Sequence, residues 1–186
     1  MITEYQNLIN LIKEKKYTKI IVSGPQRSGT TYFADALSKE LNYNHYDEKL
    51  YDVHNSNKFF ELLKSNNIVV QSPSMSSFLH LIDSTESLVI FMYRDDNDIF
   101  KSEDRIHWHP TQYKYELSKY KTCFPDLLEK IDSFKRSSPM KKWIWENIQQ
   151  PKMKVDWVNV DYNITTQTKG YIPKERRVNF KPKQIK

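Results

Sequence analysis

The feature that most constrains this sequence is a short apolar run followed by a loop that holds two of the chain's three glycines. Lys19–Ser23 has the length and composition of a buried strand, and apolar residues recur at helical intervals over 32–41. Gly24 and Gly29 lie in the turn between these two segments. A strand, a glycine-bearing loop and a helix in this order is typical of folds in which helices cover a sheet.

The rest of the chain extends this pattern into an α/β fold. A continuous apolar run at 88–93 is what a parallel strand covered on both faces requires. We therefore expect a single three-layer P-loop domain over 1–186, with a mainly parallel sheet flanked by helices and ligands beyond the carboxyl ends of the strands. Further strands are predicted at 68–71 and 155–160, and helices at 3–16 (with Thr3 and Gln6 at capping-box spacing), 78–82, 97–106, 113–120, 125–134 and 140–149.

Positive charge is concentrated in a basic C-terminal segment, residues 169–186. This segment holds seven basic residues and one acid, so it carries the whole net charge of +6. The segment predicts either an anion close by or a solvated tail, and its few aromatic residues do not favour specific nucleic-acid binding. A single cysteine, Cys123, fits a cytoplasmic location, and no apolar run is long enough to span a membrane.

The loop between the first strand and its helix has the spacing of a phosphate-binding loop. Residues 24–31 read Gly-Pro-Gln-Arg-Ser-Gly-Thr-Thr, in which small residues let backbone N–H groups converge on an anion at a helix N-terminus. Thr30 stands where nucleotide hydrolases have a lysine, and a cation appears earlier, as Arg27. The loop therefore suits a sulfate or phosphate group better than ATP, unless its glycines only relieve a tight turn.

A second candidate site follows the strand at 88–93. Arg94 ends this strand, and Ser102 lies eight positions later in the next predicted helix. An arginine and a hydroxyl at the ligand edge of a sheet suit a phosphate monoester. Alternatively, Arg94 pairs with Asp95, Asp96 or Asp98 and serves only the helix.

Together these two motifs resemble the sulfotransferases that use 3'-phosphoadenosine 5'-phosphosulfate (PAPS). In that family the loop reads P-[KR]-[ST]-G-T-T, and a strand ends in an arginine with a serine eight positions later. The resemblance covers about residues 19–106. Gln26 replaces the proline of the first motif and Asp96 that of the family's R-x-P-x-D, whereas Asp98 keeps its aspartate. The resemblance implies transfer of a sulfuryl group to an acceptor hydroxyl, release of adenosine 3',5'-bisphosphate, and no required metal.

The resemblance also implies roles for individual residues. Arg27 would stabilise the oxygen that bridges to the departing nucleotide, and Arg94 with Ser102 would bind the 3'-phosphate. The basic C-terminal segment would close over the same phosphate, although the family's R-K-G is absent. The remaining candidates for cofactor binding are Ser28, Gly29, Thr30 and Thr31 in the loop, and Arg176 and Arg177 (with Lys181) in the basic segment.

The catalytic base is less directly implied. Many family members place a histidine on the strand before the arginine motif, but residues 70–73 read Val-Gln-Ser-Pro. A branch similar to the tyrosylprotein sulfotransferases uses a glutamate shortly after the first helix of the fold, which implies Glu48 as the base and Asp47 as second choice. Both acids are otherwise ordinary loop residues, and His45 and His54 are further alternatives. His107 and His109 have no evident third metal ligand.

Two other classes of function stay open. A P-loop kinase or other nucleotide-binding enzyme would use Asp95 or Asp96 as a Mg²⁺ partner, although it lacks the loop lysine. A catalytically silent protein would bind a nucleotide without turning it over.

Overall fold

The computed structural model describes residues 1–48 and 56–169, which form an α/β fold around a five-stranded sheet. Every strand pairing is parallel, and the strand order is β2-β3-β1-β4-β5. The central strands are fully buried because helices cover both of their faces. The strands are β1 (Lys19–Ser23), β2 (Asn44–Tyr46), β3 (Ile68–Gln71), β4 (Ser87–Tyr93) and β5 (Asp156–Asp161).

Helices connect and cover these strands. None of those in the described ranges is long and apolar enough to cross a membrane. The α-helices are α1 (Tyr5–Lys15), α2 (Thr30–Leu41), α3 (Ser56–Leu62), α4 (Asp96–Arg105), α5 (Thr111–Cys123), α6 (Leu128–Ser133) and α7 (Ser137–Ile144). Short 3-10 segments lie at Pro73–Leu81, Pro125–Leu127, Gln150–Lys152 and Tyr162–Gln167, and a π turn, Trp145–Gln149, extends α7.

The sheet separates two apolar layers, which confirms the predicted three-layer α/β class. Alternate residues of β1 point to opposite faces: Ile20 and Val22 pack with α1 and α2, while Ile21 packs with α3 and the 3-10 segment after β3. A third, smaller cluster joins α5, α6 and α7 through residues such as Tyr120. The core is therefore built from local periodicity on both sides of one sheet.

Three local predictions were wrong or missing. The first helix begins at Tyr5 with Glu4 as its N-cap, and no side chain caps it. The backbone N–H of Tyr5 instead donates to Gln167 Oε1 at 2.8 Å. A side chain distant in the sequence therefore satisfies a backbone donor at the start of the helix, the role predicted for Thr3 and Gln6. Strand β2 and helix α3 were not predicted at all.

The parallel arrangement brings the carboxyl ends of all five strands to one edge of the sheet. In register, Val22 of β1 lies beside Gln71 of β3, and Ser23 lies beside Phe91 of β4. The segments that follow these strands, and the one after β5, therefore leave the sheet side by side. This edge is where a parallel α/β sheet places its ligands.

Candidate functional site

The loop between β1 and α2 has an unusual backbone. Gly24 and Gly29 have φ angles of 140° and 88°, and Arg27, which is not a glycine, has a φ of 67°. A Cβ on Gly24 would lie 2.7 Å from the carbonyl oxygen of Met92. Only glycine fits so close to the neighbouring strand, and the loop can therefore curl back over the end of the sheet.

The loop's backbone donors are largely uncommitted. Among its described amides, that of Ser28 donates to the carbonyl of Pro25 at 3.2 Å, whereas those of Gln26, Arg27 and Gly29 donate to no backbone carbonyl. Helix α2 begins directly after them and adds the N–H groups of its first turn. Free amides at a helix N-terminus attract an anion.

The predicted hydroxyl ligands of the loop divide into two groups. Ser28 is fully buried, and its Oγ donates to the carbonyl of Pro25 at 2.6 Å. Thr30 is 3% exposed, and its Oγ1 accepts from Gln71 Nε2 at 3.2 Å. Thr31 is exposed. Ser28 and Thr30 therefore hold the loop's shape, and Thr31 is the hydroxyl that faces outward.

The two sequence motifs meet at this loop. Arg27 Nε donates to Ser102 Oγ of α4 at 3.0 Å, and Arg94 Nη1 donates to the backbone carbonyl of Arg27 at 2.8 Å. These residues are 75 and 67 positions apart in the chain. The structure therefore brings Arg27, Arg94 and Ser102 into one cluster.

This cluster has an excess of positive charge. Within the described ranges neither Arg27 nor Arg94 forms an ion pair with a carboxylate. Desolvation, together with the positive charges of Arg105 and Arg94, lowers the pKa of Arg27, which stays a cation because an arginine does not deprotonate in proteins. The Nε of Arg94 is buried and has no hydrogen-bond partner in the described chain. An anion would satisfy both groups.

The acids next to Arg94 are engaged elsewhere. Asp95 caps α4 by accepting from the backbone N–H groups of Asn97 and Asp98, at 2.9 and 3.3 Å. Asp96 pairs with Lys142 of α7 at 2.7 Å. Within the described residues Arg94 therefore does not form the alternative ion pair with Asp95, Asp96 or Asp98.

Tyr162, which follows β5, covers the loop from the other side. A Cβ on Gly29 would lie 2.6 Å from Cε2 of Tyr162, so the ring packs directly on the glycine. The guanidinium carbon of Arg94 lies 4.3 Å from the centre of the same ring. Sequence reasoning missed Tyr162, for which the only signal was its position just after the last strand.

Glu48, the predicted base, is connected to the loop. Its backbone N–H donates to Gln71 Oε1 at 3.2 Å, and Gln71 in turn donates to Thr30. Its carboxylate accepts from the backbone N–H of Ser74 at 2.5 Å. The structure therefore places Glu48 at the ligand edge of the sheet, one side chain away from the loop.

Burial is the main influence on the pKa of Glu48. It raises the pKa of the carboxyl group, and the hydrogen bonds from Ser74 and the positive charge of Lys141 partly oppose this effect, whereas Glu116 adds to it. A raised pKa brings a carboxylate closer to the range in which it exchanges protons at neutral pH. Its environment is thus compatible with general-base chemistry.

The other candidate residues lie less favourably or outside the described ranges. Asp47 is half-buried next to Glu48. His45 lies on β2 with its Nδ1 3.8 Å from Asp35 Oδ1, and burial lowers its pKa. In the described residues no group of three or more metal-ligating side chains comes together, at His107 and His109 or elsewhere. His54, Arg176, Arg177 and Lys181 lie outside the described residues.

No family model matches the chain, and no curated protein matches it. Its function is therefore inferred from the arrangement of its own residues.

Proposed function

We propose that this protein is a PAPS-dependent sulfotransferase that transfers a sulfuryl group to an acceptor hydroxyl. The observation that carries the proposal is the hydrogen bond of 3.0 Å between Arg27 and Ser102. This hydrogen bond connects the loop motif with the arginine-serine motif. The sequence predicts that the two motifs bind the same nucleotide. One cationic site beside a lysine-free phosphate-binding loop suits a nucleotide with anionic groups at both ends.

The residues present fit such a ligand. Within the described residues the buried Nε of Arg94 has no hydrogen-bond partner, and the amides of Gln26, Arg27 and Gly29 donate to no backbone carbonyl. We assign the 5' end to these amides and Thr31, and the 3'-phosphate to Arg94 and Ser102, as the resemblance implies. PAPS supplies an activated sulfuryl group, whose transfer forms an O–S bond to the acceptor and leaves the electron pair of the broken S–O bond on the 5'-phosphate.

Two residues of this chain act on that transfer. Arg27 neutralises the negative charge that grows on the bridging oxygen, and Glu48 accepts the proton of the acceptor hydroxyl. Positioned donors of this kind can supply most of the stabilisation of such a transition state without a metal. The engagement of Asp95 and Asp96 in other contacts favours this chemistry over a Mg²⁺-dependent kinase. A cytoplasmic location, inferred from the single cysteine, is part of the same proposal.

Thermal unfolding with added nucleotides tests the proposal. Adenosine 3',5'-bisphosphate without Mg²⁺, at 100 times its dissociation constant, should stabilise the protein by about 2.7 kcal/mol. Arg94→Ala and Ser102→Ala should reduce this effect, and an Arg176→Ala, Arg177→Ala double variant measures the contribution of the basic segment. Lys39→Ala, which breaks an exposed ion pair on α2, is the control and should respond like the wild type.

The outcomes separate the three functions. A response only to ATP with Mg²⁺ would identify a kinase-like protein, and no response to the bisphosphate would contradict the proposal. Transfer of labelled sulfate from PAPS to a panel of hydroxyl acceptors then separates an enzyme from a silent nucleotide-binding protein.

A further inference from the structure

Three side chains form a closed ring that includes one residue of the loop. None of them is assigned a contact with the substrate, although the charges of two of them, Lys141 and Glu116, also act on the pKa of Glu48. Gln26 of the loop donates from Nε2 to Glu116 Oε1 of α5 at 2.8 Å, and its Oε1 accepts from the ammonium of Lys141 on α7. Lys141 Nζ lies 2.7 Å from Glu116 Oε2, which closes the ring. The amide of one loop residue is thus held at both ends by opposite charges from two helices.

Burial of the two charged members of this ring costs free energy of desolvation. The side chains of Lys141 and Glu116 are 0% and 3% exposed. Two ions taken out of water lose their hydration, and a well-packed apolar pair in the same place is often at least as stable. Stability alone is therefore a weak reason for an ion pair here, whereas fixing one particular arrangement of the loop is a use to which charged, fully oriented groups are suited.

Lys141 is not available as a further cation for a ligand. Its buried ammonium donates hydrogen bonds to Gln26 and to the carbonyl oxygen of Pro73, the latter at 3.1 Å, and forms an ion pair with Glu116. These three partners belong to the loop, to α5 and to the segment that follows β3. The ammonium therefore ties together three separate parts of the ligand edge.

The residue that this ring holds precedes the most unusual backbone position of the loop. Arg27 has a φ of 67°, a left-handed conformation that residues with a Cβ adopt only when their surroundings hold them there. Gln26 is clamped on one side of it. On the other side Arg94 donates to the Arg27 carbonyl at 2.8 Å. The left-handed turn is thus held from both directions.

We propose that Glu116 and Lys141 are positioning residues which, through Gln26, keep Arg27 in its left-handed conformation with its guanidinium directed at Ser102. The importance of this for catalysis rests on the proposed function. The effect of the ring on the conformation of the loop does not depend on the proposed function, and it can be measured without any nucleotide.

Hydrogen exchange of the loop amides tests the link. In Lys141→Met and in Gln26→Ala, the amide of Ser28, which donates to the carbonyl of Pro25 at 3.2 Å and is thereby protected, should exchange at least tenfold faster than in the wild type. Gln26→Ala leaves the buried ion pair in place, so it decides the question even if Lys141→Met fails to fold. Lys19→Met is the matched control: Lys19 is another buried lysine, and it pairs with the exposed Glu86 at the opposite end of β1. It should leave exchange in the loop unchanged.

Two results bear directly on the proposal. Unchanged loop exchange in folded Gln26→Ala overturns it and leaves the ring as a tie between α5 and α7 alone. Faster exchange in the loop, with α2 and β1 unaffected, supports it.

Sulfate transfer provides the second test. At high pH, where Glu48 is ionised in both proteins and the loss of the Lys141 charge beside it no longer matters, Lys141→Met should lower kcat at least tenfold with little change in KM for PAPS. It should have no further effect in an Arg27→Ala background. Effects that multiply in full would show that Lys141 acts independently of Arg27 and would overturn the positioning role. If the wild type transfers no sulfate, the proposed function fails, while the exchange experiment still decides the role of the ring.

Discussion

Arg27 combines an unfavourable backbone conformation with a side chain that forms no ion pair with a described carboxylate. Its Nε reaches Ser102 while its carbonyl accepts from Arg94, so one residue links the loop to both other parts of the cluster. A strained residue at the centre of a positively charged site is a sign of function, because folding alone gains nothing from either property.

Replacement of Arg27 by alanine should affect turnover more than binding. Loss of one donor to the transition state typically lowers kcat by about 10² to 10³. We expect a fall of this size for Arg27→Ala, with a much smaller change in the affinity for adenosine 3',5'-bisphosphate, measured by calorimetry. Arg105→Ala is the control, since it removes a neighbouring positive charge but none of the contacts of Arg27. Full turnover in Arg27→Ala would show that the assigned role is wrong.

Glu48 should make the reaction depend on pH in a defined direction. Burial raises the pKa of this carboxyl above its ordinary value of 4.5, and only the ionised form accepts a proton. The value of kcat/KM should therefore fall as the pH is lowered through the raised pKa. Glu48→Gln should abolish most activity while the nucleotide still binds. Asp47→Asn is the control and should keep the acid limb of the wild-type profile. An acid limb that Asp47→Asn removes, or that persists in Glu48→Gln, would point to another base.

The raised pKa of Glu48 also makes the free energy of unfolding depend on pH. A carboxyl with a raised pKa in the folded state favours folding most when it is protonated, so its contribution is present below pH 4.5 and is lost as the pH rises through the folded value. The free energy of unfolding of the wild type should therefore decline over this window relative to that of Glu48→Gln. Urea denaturation at a series of pH values measures the difference, and parallel profiles would contradict the burial of Glu48.

Among the elements, the loop 24–31 depends on its contact with the segment after β5. Gly29 ends the loop and begins α2, and Tyr162 packs on it so closely that no side chain fits between them. The guanidinium of Arg94 also lies over the ring of Tyr162. The last strand of the sheet thus supports the first loop of the fold, and a change at Gly29 should reach Arg94 through Tyr162.

Gly29→Ala should destabilise the protein for two separable reasons. A residue with a Cβ in the left-handed conformation costs about 1–2 kcal/mol, and the new methyl group would also displace Tyr162. Adding Tyr162→Ala should recover the steric part and leave the conformational part. Denaturant unfolding of the two single variants and the double variant measures this coupling. Strictly additive losses would show that the ring moves aside freely.

The sequence predicts the regular elements well where burial is continuous. The bounds of β1 and β3 were confirmed, and β4 begins one residue earlier than predicted, because such strands read as uninterrupted apolar runs. Strand β2, Asn44–Tyr46, was missed because it is a short and partly exposed edge strand with a polar sequence. Helix α3 has a single fully buried residue, Phe59, which leaves almost no periodic signal.

The site was less predictable than the fold. Arg27, Arg94 and Ser102 belong to motifs that the chain order reveals, and their meeting is a consequence of parallel strands. The ring of Gln26, Glu116 and Lys141 joins residues 90 and 115 positions apart, so no local pattern announces it. Long-range polar contacts of this kind depend on how α5 and α7 pack, which sequence periodicity does not specify.

For the whole molecule, the sheet is the structure that all other parts share. Phe91 of β4 stacks on Trp145 with ring centres 4.7 Å apart and an angle of 4° between planes, and both side chains are fully buried. The opposite face of the same strand packs against α1 and α2 through Ile90 and Met92. Damage to the packing of β4 should therefore be felt in both layers at once.

Phe91→Ala tests this coupling. Truncation of a buried phenylalanine typically costs about 3–5 kcal/mol, and we expect a loss of that size. Because the two layers share one sheet, near-ultraviolet and far-ultraviolet circular dichroism should report the same unfolding transition in the variant as in the wild type. Phe60→Ala on α3 is the control, since Phe60 is only partly buried and its loss should cost less. Two separate transitions in Phe91→Ala would mean that the layers fold independently, and the ligand edge would then no longer be held by the fold as a unit.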